Sequence, residues 1–164
     1  MTIDLTVRRR LEAQGFCGLD DAALEELAPW MRWTYTLGML VTLVGVITAS
    51  PAVLWTLAAL TSVGIVLPFH PFDPLYNYGF RYLTRTRSMP RSGPQRHFVF
   101  ILATAWLAAT GWAFHAGADM VGFALGVPLI LVAALASTTN FCIPSFIYNT
   151  VVDRWHKPAV TGGG

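Results

Sequence analysis

The chain has 164 residues, one domain's worth, of which 54% are hydrophobic and only 12% charged. Soluble domains carry about a quarter charged residues, so this composition speaks against an ordinary cytosolic enzyme. A formal net charge of +2 is too small for a nucleic-acid binder, and two cysteines exclude a disulfide scaffold.

Residues 1–31 read as a small helical cap. Arg8-Arg9-Arg10 resembles the basic start of a secretion signal, but five acidic residues follow within Leu11–Leu27, where an apolar stretch would be needed. Leu19-Asp20-Asp21-Ala22-Ala23-Leu24 has the form of a helix start. Asp20 is expected to cap it and Leu19 to staple onto Leu24. Leu24, Leu27 and Met31 share one face, offered either to a partner or to the rest of the chain.

The spacing of charges carries most of the information. No Asp, Glu, Lys or Arg occurs in the 40 residues between Arg32 and Asp73, the 22 between Arg96 and Asp119, or the 33 between Asp119 and Asp153. A bilayer core of about 30 Å needs about 20 apolar helical residues. The first tract therefore holds two short spans, about 34–49 and 51–69, with Ser50-Pro51 capping and starting the second. The other two tracts give a second hairpin, about 97–114 and 120–141, turning through His115–Asp119. Pro128 and Pro144 are expected to kink or end its returning arm.

Between the hairpins lies loop 70–96. Pro68-Phe69-His70-Pro71-Phe72-Asp73-Pro74 stops the second span, and Leu75, Tyr78, Tyr82 and Leu83 then recur at helical spacing. This predicts a short helix lying in the membrane interface. Arg81, Arg85, Arg87, Arg91 and Arg96 against Asp73 give the loop +4, so these arginines are expected to contact anionic lipids or a partner. Residues 153–164 form a tail.

With four spans, all 11 Lys and Arg fall on one side, and the turns near Ser50 and Gly117 hold none. Basic residues in short loops stay cytoplasmic. The expected arrangement is a multi-pass bacterial inner-membrane protein with both termini in the cytoplasm. Its fold class is all-α, an integral membrane bundle of four transmembrane helices in two hairpins, with a cytoplasmic cap and an interfacial helix. Trp30, Trp33, Tyr35, Trp55, Trp112, Tyr148 and Trp155 fall near span ends, as interfacial aromatics do. Trp106 falls mid-span and is expected to face lipid or a partner.

Chemistry-bearing motifs are sparse. His70 and His97 are expected near each other at span ends, without metal-ligand spacing. His115 and Asp119 bracket the outer turn. No ionisable group is predicted deep in the membrane, which disfavours ion-coupled transport. Gly122-Phe123-Ala124-Leu125-Gly126 permits close helix approach, so Gly122 and Gly126 are expected either at a partner contact or inside the bundle. Cys142 is the one candidate for chemistry, in a Cys-x-x-Ser setting that resembles half of a redox dithiol. No cofactor or metal site is expected, and a Cys17–Cys142 disulfide is not expected in a reducing cytoplasm.

The stretch from about Pro68 to Tyr148 resembles the bacterial DUF4395 family of small multispanning membrane proteins. The resemblance rests on His70-Pro71-Phe72, on Gly93-Pro94-Gln95-Arg96-His97-Phe98 and on Phe141-Cys142 with Tyr148. In many members of that family a second cysteine stands three residues after the first. Here that position is Ser145. The resemblance implies a membrane architecture and no established activity.

The leading expectation for function is non-enzymatic: an accessory or structural subunit of a larger membrane complex, such as an energy-transducing one. Its partners would be other transmembrane subunits and anionic lipids, with no nucleic acid. The alternative is a thiol-redox or sulfur-handling protein acting through Cys142. A small passive channel or transporter ranks third.

Overall fold

A computed structural model describes residues 4–14, 20–67, 72–88, 94–139 and 141–156, and among these no strand occurs. The helices are α1 (Leu5–Ala13), α2 (Asp21–Met31), α3 (Trp33–Ile47), α4 (Pro51–Val66), α5 (Asp73–Leu75), α6 (Arg81–Thr84), α7 (Pro94–His115), α8 (Asp119–Thr139) and α9 (Ile143–His156). A π-helical turn, Tyr76–Phe80, joins α5 to α6. Three runs are long and apolar enough to cross a membrane: Asp21–Ile47 (α2 with α3), Gln95–His115 and Asp119–Thr139. Helix α4 is also apolar but has only 16 residues.

Four helices pack in a closed ring, α3 on α4, α4 on α7, α7 on α8 and α8 back on α3. Val46, Leu54, Leu57, Leu107, Phe114 and Leu129 fill its centre. Each seam is closed by a glycine. A methyl group on Gly45 would lie 2.8 Å from Leu54, on Gly64 2.7 Å from Phe100, on Gly122 2.5 Å from Phe114 and on Gly126 2.6 Å from Val46. Close backbone approach at these glycines brings the helices into dense dispersion contact.

Both turns at the far end from the arginines have one construction. Thr48 ends α3, Ala49 adopts the left-handed conformation (φ 44°), Ala49 N–H donates to Val46 C=O, and Ser50 N–H donates to Gly45 C=O. At the end of α7, Gly117 (φ 72°) and Ala118 repeat this with Phe114 and Ala113. These are Schellman caps, which satisfy the last helical carbonyls. The Ser50 side chain makes no capping hydrogen bond, contrary to the sequence expectation. Pro51 at the first helical position starts α4 without it.

The last apolar run also differs from its predicted course. Helix α8 continues through Pro128 and ends at Thr139, and Pro144 falls in the first turn of α9. Proline is tolerated there because its missing N–H would have had no helical acceptor. The second span stops at Val66 rather than residue 69.

The N-terminal helices lie on this bundle. Leu11 of α1 packs with Leu24, Leu27 and Met31 of α2. Arg10 donates to Thr139 C=O (2.9 Å), Arg32 to Thr138 C=O (3.0 Å), and Asn149 Nδ2 to Ala13 C=O (2.7 Å). Two guanidinium groups thus cap the C-terminal carbonyls of α8, where cations are favoured. Asp20 makes no side-chain cap, because its carboxylate faces Arg87 at 3.0 Å.

Candidate functional site: the polar junction at the arginine-rich end

The sequence places Asp73 and Arg96 at the edges of a charged loop whose arginines are expected to meet lipid or a partner. In the fold both are buried, 1% and 2% exposed. Arg96 Nη2 lies 3.5 Å from Asp73 Oδ2, and the Thr34 hydroxyl donates to Asp73 Oδ1 at 2.7 Å. The Arg96 guanidinium also sits 5.5 Å from the Phe100 ring centre. One carboxylate therefore ties α5 to the starts of α3 and α7. Arg96 is not a lipid or partner contact. At the first turn of α7 its side chain turns inward, where a buried carboxylate can compensate it.

The segment 73–84 is the predicted interfacial helix, and it presents two faces. Asp73 bonds Thr34, the Tyr76 ring lies 5.1 Å from Trp30, and the Phe80 ring lies 4.9 Å from Trp33. Leu75, Tyr78, Tyr82 and Leu83 point outward and are exposed. Tyr76 is fully buried and shares a 2.5 Å hydrogen bond with Thr86 Oγ1. Burial raises its phenol above the ordinary tyrosine value, with the Thr86 bond opposing that shift. Trp30 and Trp33 thus serve as internal packing against this segment.

Among the predicted lipid-facing arginines, Arg81 lies over the Tyr82 ring and Arg85 is exposed. Arg87 turns back to the cap instead. Its guanidinium meets Asp20 (3.0 Å) and Glu26 (3.6 Å), and its amide donates to Glu26 Oε1 (2.6 Å). Arg91, His70 and Cys17 lie outside the described residues. Gly122 and Gly126 are buried seams of this bundle rather than partner contacts. Trp106 is likewise internal, donating across the α7–α8 seam to Leu125 C=O at 3.0 Å. His97 Nδ1 donates to Ile65 C=O (2.9 Å), closing the end of α4. His115 meets Trp55 and Trp112 at tilted ring contacts of 5.2 and 5.8 Å.

Cys142 is buried and immediately precedes α9, its carbonyl accepting the helix's first bond, from Phe146 N–H. It borders two hollows. One, about 100 Å³ and half-open, lies among α3, α7, α8 and α9 and is lined by Tyr35, Trp106, Ala136 and Pro144. The other, about 310 Å³, opens between α1 and the first turn of α9 and is lined by Arg9, Arg10, Ser145 and Phe146. Ser145 is 1% exposed, and its hydroxyl has no hydrogen-bond partner among the described residues. Sequence reasoning paired Cys142 with Ser145 by spacing. It missed Arg9 and Arg10, which lie more than 130 positions away with no local signal linking them.

Residues 28–153 match the model of the family described as Domain of unknown function (DUF4395), so the chain belongs to that family, over a longer stretch than the motifs alone suggest. No curated protein and no solved structure matches the chain. Helix α1, which supplies Arg9 and Arg10, precedes the matched stretch.

Proposed function

For this DUF4395 member we propose a bacterial inner-membrane protein of four spans, both termini cytoplasmic, that handles sulfur or reducing equivalents through Cys142. The observation that carries this is the setting of the thiol. It stands where an arginine-bearing cleft meets an apolar hollow, beside the Tyr35 and Ser145 side chains. A cysteine serving only as a small apolar filler needs no such opening. The four-span part rests on the ring of four apolar helices and on the charges at its ends. Helix α4 is about 24 Å long at 1.5 Å per residue, short for the bilayer core, a mismatch that local thinning accommodates. Arg10, Arg32, Arg87 and Arg96 gather at one end, and the Ala49 and Gly117 turns at the other hold no Lys or Arg.

The test is chemical trapping of Cys142 in inverted membrane vesicles. Maleimide should modify it in the folded protein, and mass spectrometry of rapidly acid-quenched native membranes should find part of it as a mixed disulfide or persulfide. A thiol that reacts only after unfolding, and is always recovered free, would end this reading.

The accessory-subunit reading keeps one specific support. Helix α8 is the least buried of the long helices, with Met120, Val121, Phe123, Val127 and Leu131 exposed. Extraction in mild detergent should then co-purify a stoichiometric transmembrane partner, and a chain that runs alone counts against it. Nothing favours a passive channel, since leucines fill the ring's centre.

A further inference from the structure

The 310 Å³ cleft has a charge pattern that the thiol by itself does not explain. Arg9 and Arg10 of α1 form one side, with Thr6 beside them. The first turn of α9, with Cys142 and Ser145, forms the other. Among the described residues no carboxylate lines it. The nearby acids are engaged elsewhere: Asp4 accepts from the Thr6 amide at 2.8 Å, and Glu12 pairs with Arg8 at 2.9 Å. Arg10 spends one nitrogen on Thr139 C=O, and among the described residues Arg9 pairs with no carboxylate.

Two independent features face this positive side. The first N–H groups of a helix have no acceptor within it and carry the positive end of its dipole, so a helix start favours anions; in α9, where Pro144 has no N–H and Phe146 N–H bonds Cys142 C=O, Ile143 and Ser145 carry these amides. Ser145 lines the cleft and adds a buried hydroxyl that has no partner among the described residues. A buried polar group left unsatisfied costs free energy, and a ligand oxygen in the cleft would remove that cost.

From this we infer that the cleft binds a small tetrahedral oxyanion of the phosphate or sulfate class. Arg9 supplies charge, Ser145 a hydroxyl, and the first turn of α9 its dipole. The oxyanion is either a free ion or the headgroup of an anionic lipid, which bears the same phosphate. The inference deepens the proposed function and rests on its reading that the Cys142 cleft is the working site. It places the thiol beside a bound anion.

The test uses the full chain in phosphatidylcholine nanodiscs and radiolabelled inorganic phosphate. One phosphate should bind per chain, saturably and in the presence of chloride at matched ionic strength. Arg9→Gln should weaken it about tenfold and Ser145→Ala about threefold, in line with loss of one charge-assisted and one neutral hydrogen bond. Arg87→Gln, whose side chain faces the cap, should leave it unchanged. Cys142→Ser should still bind, so a positive isotherm stands even if the thiol reading fails. A reactive Cys142 without an anion site would reject only this inference. If phosphate does not bind but one phosphatidylglycerol per chain is retained from native membranes and lost in Arg9→Gln, the headgroup is the occupant. Absence of both, or binding that Arg9→Gln leaves intact, overturns the inference.

Discussion

Asp73 and Arg96 face each other at 3.5 Å inside the protein, each side chain 2% exposed. They are 23 positions apart and join segment 73–84 to the start of α7. Removing one member of a buried pair leaves the other charge poorly compensated and costs about 3–5 kcal/mol. Asp73→Asn and Arg96→Gln should each destabilise the protein by that order in detergent unfolding. The double variant should lose less than the sum, and strict additivity would show that the pair is not coupled.

The two outer turns predict opposite responses to one exchange. Ala49 holds a left-handed backbone that L-residues adopt at a cost of about 1–2 kcal/mol, whereas Gly117 holds it freely. Ala49→Gly should raise stability by about 1 kcal/mol, and Gly117→Ala should lower it by a similar amount. Thermal unfolding of both variants decides this, and equal shifts of one sign would contradict it.

Glycines of the seams should separate from glycines in open space. Gly126→Ala pushes a methyl group into Val46 and Gly122→Ala into Phe114, which should cost about 1–3 kcal/mol each. At Gly38 a methyl group meets nothing within 4 Å, so Gly38→Ala should be neutral or stabilising by up to about 1 kcal/mol. A Gly126→Ala protein as stable as the parent would show that the α8–α3 seam can open without loss.

Alkaline pH should loosen segment 73–84. The Tyr76 phenol is raised by burial, so the folded state favours its protonated form. Its contribution is complete below the unfolded phenol value of about 10 and is lost as pH rises through the folded one. Tryptophan fluorescence should report this through Trp30, which lies against Tyr76. Tyr76→Phe should remove the alkaline step while losing about 1 kcal/mol at neutral pH with the Thr86 bond. An unchanged alkaline step would assign it to another group.

Much of this fold is legible in the chain. The charge-free tracts locate the apolar helices, Ser50-Pro51 and the His115–Asp119 stretch locate the turns, and the Leu75, Tyr78, Tyr82, Leu83 spacing locates the exposed face of the middle segment. These features are local or periodic, and a helix reads them from its own neighbours. The destinations of single polar side chains were not legible. Asp73, Arg96 and Arg87 look alike as loop charges, yet two are buried together and the third reaches the cap. Trp106 reads as facing lipid or a partner and Gly122 as either a partner contact or internal packing, and both close the α7–α8 seam.

The amino-acid sequence by itself determined that this protein is all-helical and apolar, because helix formation and hydropathy are summed over short windows. Only the tertiary structure decided that Cys142 stands between α1's arginines and the apolar hollow beside Tyr35, and that Asp73 and Arg96 leave water together. Both depend on which helix faces which, and that is set by how closely glycines such as Gly122 and Gly126 let neighbouring backbones approach.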